Sequence, residues 1–592
     1  HLAPEVTQGT ASLEVVENPG ELPRSKRNWG GQILFDPERV ASPRSLEELQ
    51  KIVRETQHTI RVLGKGHSFS PVSVVRGGTL INLAQYRKVL DYIAPSSGNS
   101  FVGTVRLEAG ATFTDICHFL SEQSPPAALK QLPSPLVITI AGALATGTHG
   151  SGINNKAMSA HVQDIEFVDA SGELKRYRRG PSGPDVVTSE NVAGGHVGCL
   201  GVVSRMSMDV VPYFEGRNFF LHMPLERLLQ HWDELTGDLH LGGSRRPLVD
   251  SHSIIVQWDR GTCFMNAKHF LPHYNPSIAC KPPAWGEHPF GNSRWILMAK
   301  HSADLRSCLS DVGARVDAGN AVLEVRAASL AAQAGVKPGW RLIRVDGKKV
   351  QDSESAAMVF SKAETSRRKA LEEARQAGDA GAAVGWEARV SLWFEDPAVE
   401  YEKHFTFGST PEINVAVQSP WHDSVPIWAL DQPFEDGPDC NYGQQSEFFV
   451  PIENAVPALR AAWDVMGRWR HVGSGGLDGG IVGNSELRTI KGCDGWVSTT
   501  PRDSLSIHLS LSGSPKVQRE IWQELPKLEE ALAAFGARPH WGKIYTAKFW
   551  APRFPALYGE GLRRFKALAQ QHDPAHKFVN PWIRETLFPE LA

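Results

Sequence analysis

The sequence lacks the features by which nucleic-acid-binding and membrane-spanning proteins are recognised. No long run of lysine and arginine occurs, and the formal net charge of the 592 residues is −3. A nucleic acid or an anionic membrane surface is therefore not an expected partner. No apolar run is long enough to span a bilayer, so no transmembrane segment is expected. Hydrophobic residues make up 41% and charged residues 21% of the chain, as in an ordinary globular protein.

Cysteine provides no metal-binding or redox motif. The seven cysteines occur without a CxxC pair or another metal-like spacing, so no metal site is predicted, and one or two disulfides stay open. The absence of an Asn-X-Ser/Thr site with a permitted middle residue argues weakly against a glycosylated secreted protein. The chain begins at His1. A trimmed chain and an organellar or secreted protein without its targeting peptide both remain open.

The length predicts two or three domains. Residues 1–27 are polar and are expected to form a loose leader. Strands and helices alternate over residues 28–212, where "SLEELQKIV" predicts a helix with a capping box of Ser45 and Glu48. Strand-like, aromatic-rich sequence follows. Near the C-terminus, "VQREIWQELPKLEEALAAFG" predicts a long helix that Pro526 is expected to bend or interrupt.

A block at 310–398 differs in composition from its surroundings. Its segment "AVLEVRAASLAAQAGVKPGWRLIRVDGKKV" predicts a strand, a short helix, a turn and a second strand. This pattern resembles a PDZ domain. The carboxylate-binding loop of that family would lie near "SDVGARVD", but Asp311–Ala314 departs from the family's Gly-Leu-Gly-Phe pattern. A structural insert and a module that binds a protein partner therefore both remain open.

Two glycine-rich segments each contain a histidine: "RVLGKGHSFSP" at 61–71 and "IAGALATGTHGSG" at 140–152. Glycine lets the backbone approach a ligand closely, and exposed N–H groups can bind a pyrophosphate. Neither segment matches the Rossmann or P-loop pattern, and one such loop alone usually indicates a structural turn. Two of them in one α/β region favour a cofactor site.

Further motifs link these loops to a known family. They are "NWGG" at 28–31, "LPSPLVITIAGALATGTHGSG", "GCLGVV", "SELRTI", "RPHWGKIYT" and "HDPAHKFVNPW". With them the sequence resembles FAD-linked oxidases of the vanillyl-alcohol-oxidase type, and within these the alditol and sugar-lactone oxidases. The resemblance implies an α+β fold with a two-lobed FAD-binding domain at 28–212 and an α+β substrate cap domain. The cap would occupy 213–309 and 399–538, on either side of the PDZ-like insertion at 310–398, and residues 539–592 would complete the flavin site.

The resemblance also implies which residues hold the FAD. The family histidine that is joined covalently to the flavin 8α-methyl carbon corresponds to His67. Val203 would meet the adenine end. The other cofactor contacts would be Gly64, Lys65, Gly66, Ser68, Phe69, Ser134, Thr139, Gly142, Ala145, Thr146, Gly147, Thr148 and His540. His149 is expected only to satisfy a local hydrogen bond.

Glu486 and Arg488 are two residues apart, so on a strand their side chains emerge on the same face. Taken alone, such residues usually form a surface ion pair, and Lys543 would be a solvated lysine. By the resemblance, Arg488 and Lys543 would bind the reacting hydroxyl and stabilise its developing alkoxide, while Glu486 would accept hydrogen bonds from neighbouring hydroxyls. Ser134 and Ser510 would contact the substrate. Ser510 stands where the family has threonine, and His508 precedes it on the same strand.

These assignments predict an FAD-dependent oxidase that transfers hydride from a polyol or sugar-derived alcohol to the flavin, with oxygen reduced to hydrogen peroxide. Pro133 lies where small residues in this family influence oxygen access. An aldonolactone oxidase or dehydrogenase of the ascorbate-pathway type shares most of the motifs and remains an alternative. So does an assembly subunit that docks a partner through the insert, although a scaffold need not retain Glu486, Arg488 and Lys543.

Overall fold

A computed structural model describes the chain over residues 6–8, 11–13, 27–94, 103–123, 126–181, 186–237, 247–271, 302–307, 314–327, 329–333, 336–345, 348–359, 361–362, 365, 390–395, 418–421, 443–470 and 480–591. Residues 310–313 of the expected carboxylate-binding loop lie outside these ranges. Among the described residues, no helix has the length and apolar character needed to cross a membrane.

The N-terminal domain contains a small parallel sheet. The elements up to this sheet are β1 (Val6–Gln8), β2 (Ala11–Leu13), β3 (Arg39–Ala41), α1 (Leu46–Glu55), β4 (Ile60–Leu63) and β5 (Thr79–Asn82). The parallel sheet has the order β3-β5-β4, while β1 and β2 form an antiparallel pair inside the expected loose leader. Ser45 caps α1 as predicted, because its side chain accepts a hydrogen bond from the N–H of Glu48. The Glu48 carboxylate in turn accepts from the N–H of Arg44.

A larger antiparallel sheet forms the second lobe of this domain. Its region contains β6 (Val89–Ile93), β7 (Gly103–Glu108), α2 (Phe113–Ser121), β8 (Ala127–Ala128), α3 (Ile140–Thr146), β9 (Gly152–Lys156), β10 (Val162–Val168), β11 (Leu174–Arg178), α4 (Ser189–Val192) and β12 (Val202–Pro212). The strand order is β11-β10-β12-β7-β6, and β8 pairs with the end of β12. The two sheets confirm the predicted two-lobed domain.

The next domain, the cap, begins with β13 (Glu215–Pro224), α5 (Leu225–Gln230), α6 (Trp232–Thr236), β14 (Ser251–Gln257) and β15 (Thr262–Leu271). β15 pairs with both β13 and β14. The edge of β14 that faces away from β15 remains available for a strand from the second half of the cap.

The insert forms a β-rich unit. Its described elements are β16 (Ser302–Ser307), β17 (Ala314–Val316), β18 (Val322–Val325), α7 (Leu330–Gln333), β19 (Arg341–Val345), β20 (Lys348–Lys349) and β21 (Val390–Glu395). One sheet has the order β16-β21-β19-β20, and β17 pairs with β18. Trp340 and Leu342 belong to a small apolar core of the insert itself. β16, which precedes the predicted boundary at 310, pairs with β21 of the insert.

The second half of the cap completes a nine-stranded sheet. It contributes β22 (Gln418–Pro420), β23 (Gln444–Pro451), α8 (Ala455–Met466), β24 (Val482–Lys491), β25 (Ser504–Leu511), α9 (Pro515–Ala533) and β26 (Arg538–Pro539). The order is β22-β13-β15-β14-β24-β25-β23-β26, and β9 of the N-terminal domain pairs in parallel with β24. This pairing joins the second glycine-rich segment directly to the cap.

The long helix α9 continues through Pro526, so the interruption that the sequence suggested does not occur. Proline removes one backbone hydrogen bond from a helix. Leu525 and Leu528, which flank Pro526 closely, are fully buried in the main core. Burial of this apolar face stabilises the helix despite the missing bond.

The C-terminal segment consists of α10 (Ala547–Trp550), α11 (Phe554–His572) and α12 (Pro581–Leu587). Its apolar residues, such as Trp550, Phe565 and Trp582, belong to the same core as the N-terminal domain and the cap. The segment also makes direct backbone bonds to the first lobe, since the N–H of Ile60 donates to the carbonyl of Lys577 at 2.8 Å. The C-terminus is therefore anchored beside the first glycine-rich segment.

Candidate active site

A cavity of about 850 Å³ lies where the N-terminal domain, the cap and the C-terminal segment meet. Its wall contains both glycine-rich segments, the polar face of the cap sheet and residues 540–543. Val203 and His196 of the N-terminal domain line it together with Ser510 of the cap and Lys543. The fold therefore brings together residues that are hundreds of positions apart in the sequence.

The first glycine-rich segment is held closely against neighbouring backbone. Gly66 has φ +69, a conformation that favours glycine. A Cβ at Gly64 would lie only 2.3 Å from Oγ1 of Thr139. The N–H of Phe69 donates to the carbonyl of Gly542 at 2.7 Å. A side chain at Gly64 is thus sterically excluded, and the loop is fixed to the segment that carries Lys543.

His67 lies on this loop at the cavity wall. Its ring stacks on Trp29 with 5.4 Å between ring centroids and 12° between the planes. Burial lowers the pKa of His67 to about 3, and the positive charge of Lys543 adds to the effect. The imidazole is therefore neutral and rotationally restricted, as a nucleophilic ring nitrogen requires.

The second glycine-rich segment surrounds α3. Thr139 precedes the helix, and Gly147 ends it in the left-handed conformation with φ 78. Thr139, Gly142, Ala145, Thr146 and Thr148 line the cavity. Gly147 was predicted to contact the cofactor, but it is not on the cavity wall, because its place in the fold is the helix-ending turn.

Strand register places the polar residues of the cap on one face. Glu486 lies opposite His508, and His508 lies opposite Glu447 on the next strand. In the same way Gln445 lies opposite Ser510. Directly paired residues project to the same side of a sheet, so these side chains all face the cavity. Leu487 projects to the other face and is fully buried.

Glu486 and Arg488 form a buried ion pair rather than a surface one. Nε of Arg488 donates to Oε1 of Glu486 at 2.7 Å, and Nη2 donates to Oε2. Nη2 also donates to Oγ of Ser134, while Oγ of Ser253 donates to Glu486. Burial alone would raise the pKa of Glu486, but the charge and hydrogen bonds of Arg488 outweigh it and hold this pKa below its usual value.

Lys543 is half-buried in the cavity wall. Its ammonium group donates a hydrogen bond to Oε1 of Gln445 and lies 5.1 Å from the centre of the Phe69 ring. Burial lowers the pKa of Lys543 to about 8, although Glu447 opposes this shift. Lys543 is therefore a cation at neutral pH whose proton is weakly held for a lysine.

His149 makes more than the local hydrogen bond that was expected of it. Nδ1 lies 2.8 Å from the carbonyl oxygen of Gly150, which is the local bond. Nε2 lies 2.8 Å from Oε1 of Glu447, 298 positions away. The expectation was therefore incomplete, because it could not include a partner contributed by the cap.

The other predicted site residues all lie on the cavity wall: Gly64, Lys65, Gly66, His67, Ser68, Phe69, Ser134, Thr139, Gly142, Ala145, Thr146, Thr148, Val203, Glu486, Arg488, Ser510, His540 and Lys543. Sequence reasoning missed Gln445 and Glu447. The strand begins with four consecutive polar residues, 444–447, so no alternation of polar and apolar residues marked these two.

The residues of this cavity fit an FAD molecule. The volume of about 850 Å³ is within the range of about 300–1,000 Å³ that is usual for cofactor and ligand sites. Gly64 and Gly198 line it without a side chain, so their backbone borders the cavity directly. The neutral imidazole of His67 meets the chemical requirement for a covalent flavin bond. Among the described residues no cluster suitable for a metal ion occurs.

Two family models match the chain. The model described as an FAD binding domain matches residues 37–178, and the D-arabinono-1,4-lactone oxidase model matches residues 438–586. The first range contains both glycine-rich segments. The second contains Glu486, Arg488 and Lys543, together with the missed residues Gln445 and Glu447.

Named relatives extend the similarity over nearly the whole chain. Alditol oxidase from Streptomyces sp. is 24% identical over 566 residues, which cover 95% of this chain and 98% of the relative. A putative D-arabinono-1,4-lactone oxidase from Neurospora crassa is 22% identical and covers 95% of this chain and 86% of its own. L-gulono-1,4-lactone dehydrogenase from Mycobacterium tuberculosis is 28% identical over 210 residues, or 35% of this chain and 45% of the relative.

The crystal structure of cholesterol oxidase from B. sterolicum has a similar fold. It matches 99% of this chain and 100% of its own with a TM-score of 0.52 and 15% sequence identity. At this identity the likeness concerns the fold alone. The fold, the two matched models and the full-length relatives agree. The chain thus resembles an FAD-binding domain in its first part and a D-arabinono-1,4-lactone oxidase in its last, and it is similar along nearly its whole length to an alditol oxidase.

Proposed function

We propose that this protein is an FAD-dependent oxidase of polyols or sugar-derived alcohols. The observation that carries the proposal is the convergence of Lys543, Arg488 and the His67 loop on one buried cavity. Relatives along nearly the whole chain are named for alditols and for D-arabinono-1,4-lactone, and these names support a hydroxylated substrate.

Bound FAD supplies a two-electron acceptor for the hydride of a carbinol carbon. The protein has to bind the reacting hydroxyl, hold it in one orientation and stabilise negative charge on its oxygen. Lys543 and Arg488 are the cationic donors of the substrate end. Arg488 is mostly buried and Lys543 is half-buried, so their attraction for a developing alkoxide is screened less than in bulk water.

Glu486 orients the guanidinium of Arg488 through two hydrogen bonds. Ser134 accepts a further bond from Arg488. Gln445 accepts the bond from Lys543. Each cationic donor is thus held by neighbours before a substrate arrives, which reduces the cost of organising the site during the reaction.

A row of polar groups suits a substrate with several hydroxyls. Gln445 and Ser510 lie side by side on adjacent strands, and Glu486 faces the same cavity. Such groups can bind hydroxyls next to the reacting carbon. Ser510 lacks the methyl group of threonine at this position, so the wall is slightly wider there than the family resemblance implies.

A second candidate function is oxidation of an aldonolactone, which the matched D-arabinono-1,4-lactone oxidase model favours.

Oxygen is the proposed terminal acceptor, and Pro133 lines the cavity beside Ser134. An assembly subunit without turnover is the remaining alternative; in that case the insert would dock a protein partner.

The deciding experiment separates flavin reduction from flavin reoxidation. Purified yellow protein is mixed without oxygen with xylitol, sorbitol or galactonolactone, and the loss of flavin absorbance is followed by stopped flow. Fast reduction by an alditol supports the first function, whereas reduction by the lactone alone supports the second. Oxygen is then added and hydrogen peroxide is measured. Absence of reduction by all alcohols and lactones would refute both enzymatic functions.

A further inference from the structure

A buried pair in the cavity wall has no part in the chemistry described above. His149, on the second glycine-rich segment, and Glu447, on β23 of the cap, are each about 4% exposed. They join the FAD-binding domain to the cap at the strand that also carries Gln445. Their hydrogen bonds determine where the proton of this pair resides.

Both partners of the His149 ring are acceptors. The carbonyl oxygen of Gly150 lies 2.8 Å from Nδ1 and can only accept, so Nδ1 carries a hydrogen. Oε1 of Glu447 lies 2.8 Å from Nε2 and, when ionised, also only accepts. A neutral imidazole can donate from one nitrogen only. One further proton must therefore reside between His149 and Glu447.

The surroundings of Glu447 favour its ionised form. Ser506 donates a second hydrogen bond to Oε1 of Glu447. Burial alone would raise the pKa of Glu447, but His149 leads the groups that outweigh it and hold this pKa well below its usual value. The other titratable or charged groups that face Glu447, from β24, β25 and the C-terminal segment, are Glu486, Arg488, His508, His540 and Lys543.

The neighbouring histidines cannot take the role of His149. Burial lowers the pKa of His540 to about 3 and that of His508 to about 4, so both are neutral. Nδ1 of His540 is occupied as the acceptor of the N–H of Gly542. Of the three described rings, that of His149 is the one hydrogen-bonded to the Glu447 carboxylate.

The pair is connected to Lys543 through the backbone of β23. The carbonyl of Glu447 accepts the N–H of His540 at 3.0 Å, and the carbonyl of Gln445 accepts the N–H of Ile544 at 2.8 Å. Between them, Oγ of Ser446 donates to the carbonyl of Ile544. These bonds hold both ends of the short segment in which Lys543 lies. A change in the position of Glu447 would therefore also change the position of Lys543.

We propose that His149 and Glu447 form a buried imidazolium–carboxylate pair that positions Lys543 against the cofactor cavity. His149 is a positioning residue in this role, since it acts through Glu447 and β23. The importance of the pair for turnover rests on the proposed function, but its charge state does not. The two parts can therefore be tested separately.

The charge state is tested by unfolding equilibria of the whole protein, measured by tryptophan fluorescence in guanidinium at several pH values. In the His149→Phe variant, Glu447 is buried without its cation, so burial raises its pKa. Protonated Glu447, which is the form that stabilises the folded variant, is then present at low pH and is lost as pH rises. Between pH 5 and 6 the intact pair exchanges no proton on unfolding, because free histidine with a pKa of about 6.5 is mostly protonated there.

The stability deficit of His149→Phe is therefore expected to grow from pH 5 to pH 6, by up to about tenfold in the unfolding constant. The double variant His149→Phe/Glu447→Gln should show a deficit that does not change over this interval. The proposal would be overturned if the stability deficit of the single variant His149→Phe also stayed constant between pH 5 and pH 6.

Glu447→Gln alone provides a test that does not depend on folding of His149→Phe. Its amide can donate to a neutral His149, so the hydrogen bonds can persist while both charges are lost. From pH 7 to pH 8 the wild-type protein should lose stability relative to this variant, since its folded pair retains a proton that the unfolded chain releases. Parallel stability curves over this interval would also overturn the proposal.

The positioning role is tested by flavin reduction with the substrate that the wild-type protein accepts. His149→Phe should slow reduction at least about tenfold at pH 8, and adding Glu447→Gln should recover most of the loss, because no unpaired charge remains to displace β23. A slow double variant would show that the pair does not act on Lys543 through its charge. Failure of every substrate would refute the proposed function and leave the unfolding results as the test of the pair.

Discussion

Arg488 holds the carboxylate of Glu486, two residues earlier on the same strand, with two hydrogen bonds in a buried cavity wall. The spacing of two places both side chains on one strand face. Burial then makes the pair interdependent, since neither charge can be stabilised by bulk water. Removing one partner should therefore be more harmful than removing both.

Arg488→Met is expected to destabilise the folded protein by about 3–5 kcal/mol, because it leaves the Glu486 carboxylate buried without its cation. In the wild-type protein the lowered pKa of Glu486 contributes stability above the unfolded-state pKa, and this contribution is lost as pH falls. In the variant the pKa of Glu486 rises, so the deficit should shrink as pH falls from 7 to 5. Denaturant midpoints over this range provide the measurement.

The control for this prediction is the exposed pair of Arg460 and Glu226. Arg460→Met should shift the midpoint only slightly, because water replaces the lost partner. The double variant Arg488→Met/Glu486→Gln should be more stable than Arg488→Met. The reverse order of stability would contradict the interdependence of the buried pair.

His67 is expected to carry a covalent flavin. After acid precipitation of the yellow protein, the flavin absorbance should remain in the pellet, and His67→Ala should release it to the supernatant. The physical reason is the neutral imidazole of His67, restrained by stacking on Trp29. Complete release of flavin from the wild-type protein would exclude the linkage while leaving non-covalent FAD binding intact.

Lys543→Ala should leave the flavin spectrum nearly unchanged and lower the rate of flavin reduction by substrate at least about a hundredfold, as loss of an oxyanion donor does in other enzymes. Because burial lowers the pKa of Lys543 to about 8, the cationic form is lost as pH rises through that value. The wild-type reduction rate should therefore fall above about pH 8.

Lys543→Arg serves as the matched control, since arginine stays protonated over this range. It should be slower than the wild type at pH 7 because its planar group does not fit the same site, but it should not show the decline near pH 8. A wild-type rate that rises through pH 8 would instead indicate that neutral Lys543 accepts a proton.

Gly64→Ala should impair flavin incorporation. The added Cβ would lie 2.3 Å from Oγ1 of Thr139, so the loop that carries His67 has to move. The ratio of flavin to protein absorbance in the purified protein measures the effect. Gly180→Ala is the control, because its Cβ would meet no atom within 4 Å. Equal flavin content in the two variants would contradict the close packing of the first loop.

Much of the site could be predicted from the sequence because its residues lie in short local patterns. The glycine positions around His67 indicate close backbone approach, and the i, i+2 spacing of Glu486 and Arg488 defines a strand face. Partners across domains were inaccessible to this reasoning. His149 meets Glu447 over 298 positions, and Lys543 meets Gln445 over 98.

The sequence by itself determined the chemistry that is available: a histidine on a glycine turn, a strand with an acidic and a basic residue on one face, and a lysine near the C-terminus. Only the tertiary structure decided whether these groups would be exposed or buried, and which charges would pair. The reason is that pKa and ion-pair strength depend on burial and on neighbours from distant segments. The same dependence on distant segments gives His149, beside its local hydrogen bond, a buried carboxylate partner from the cap.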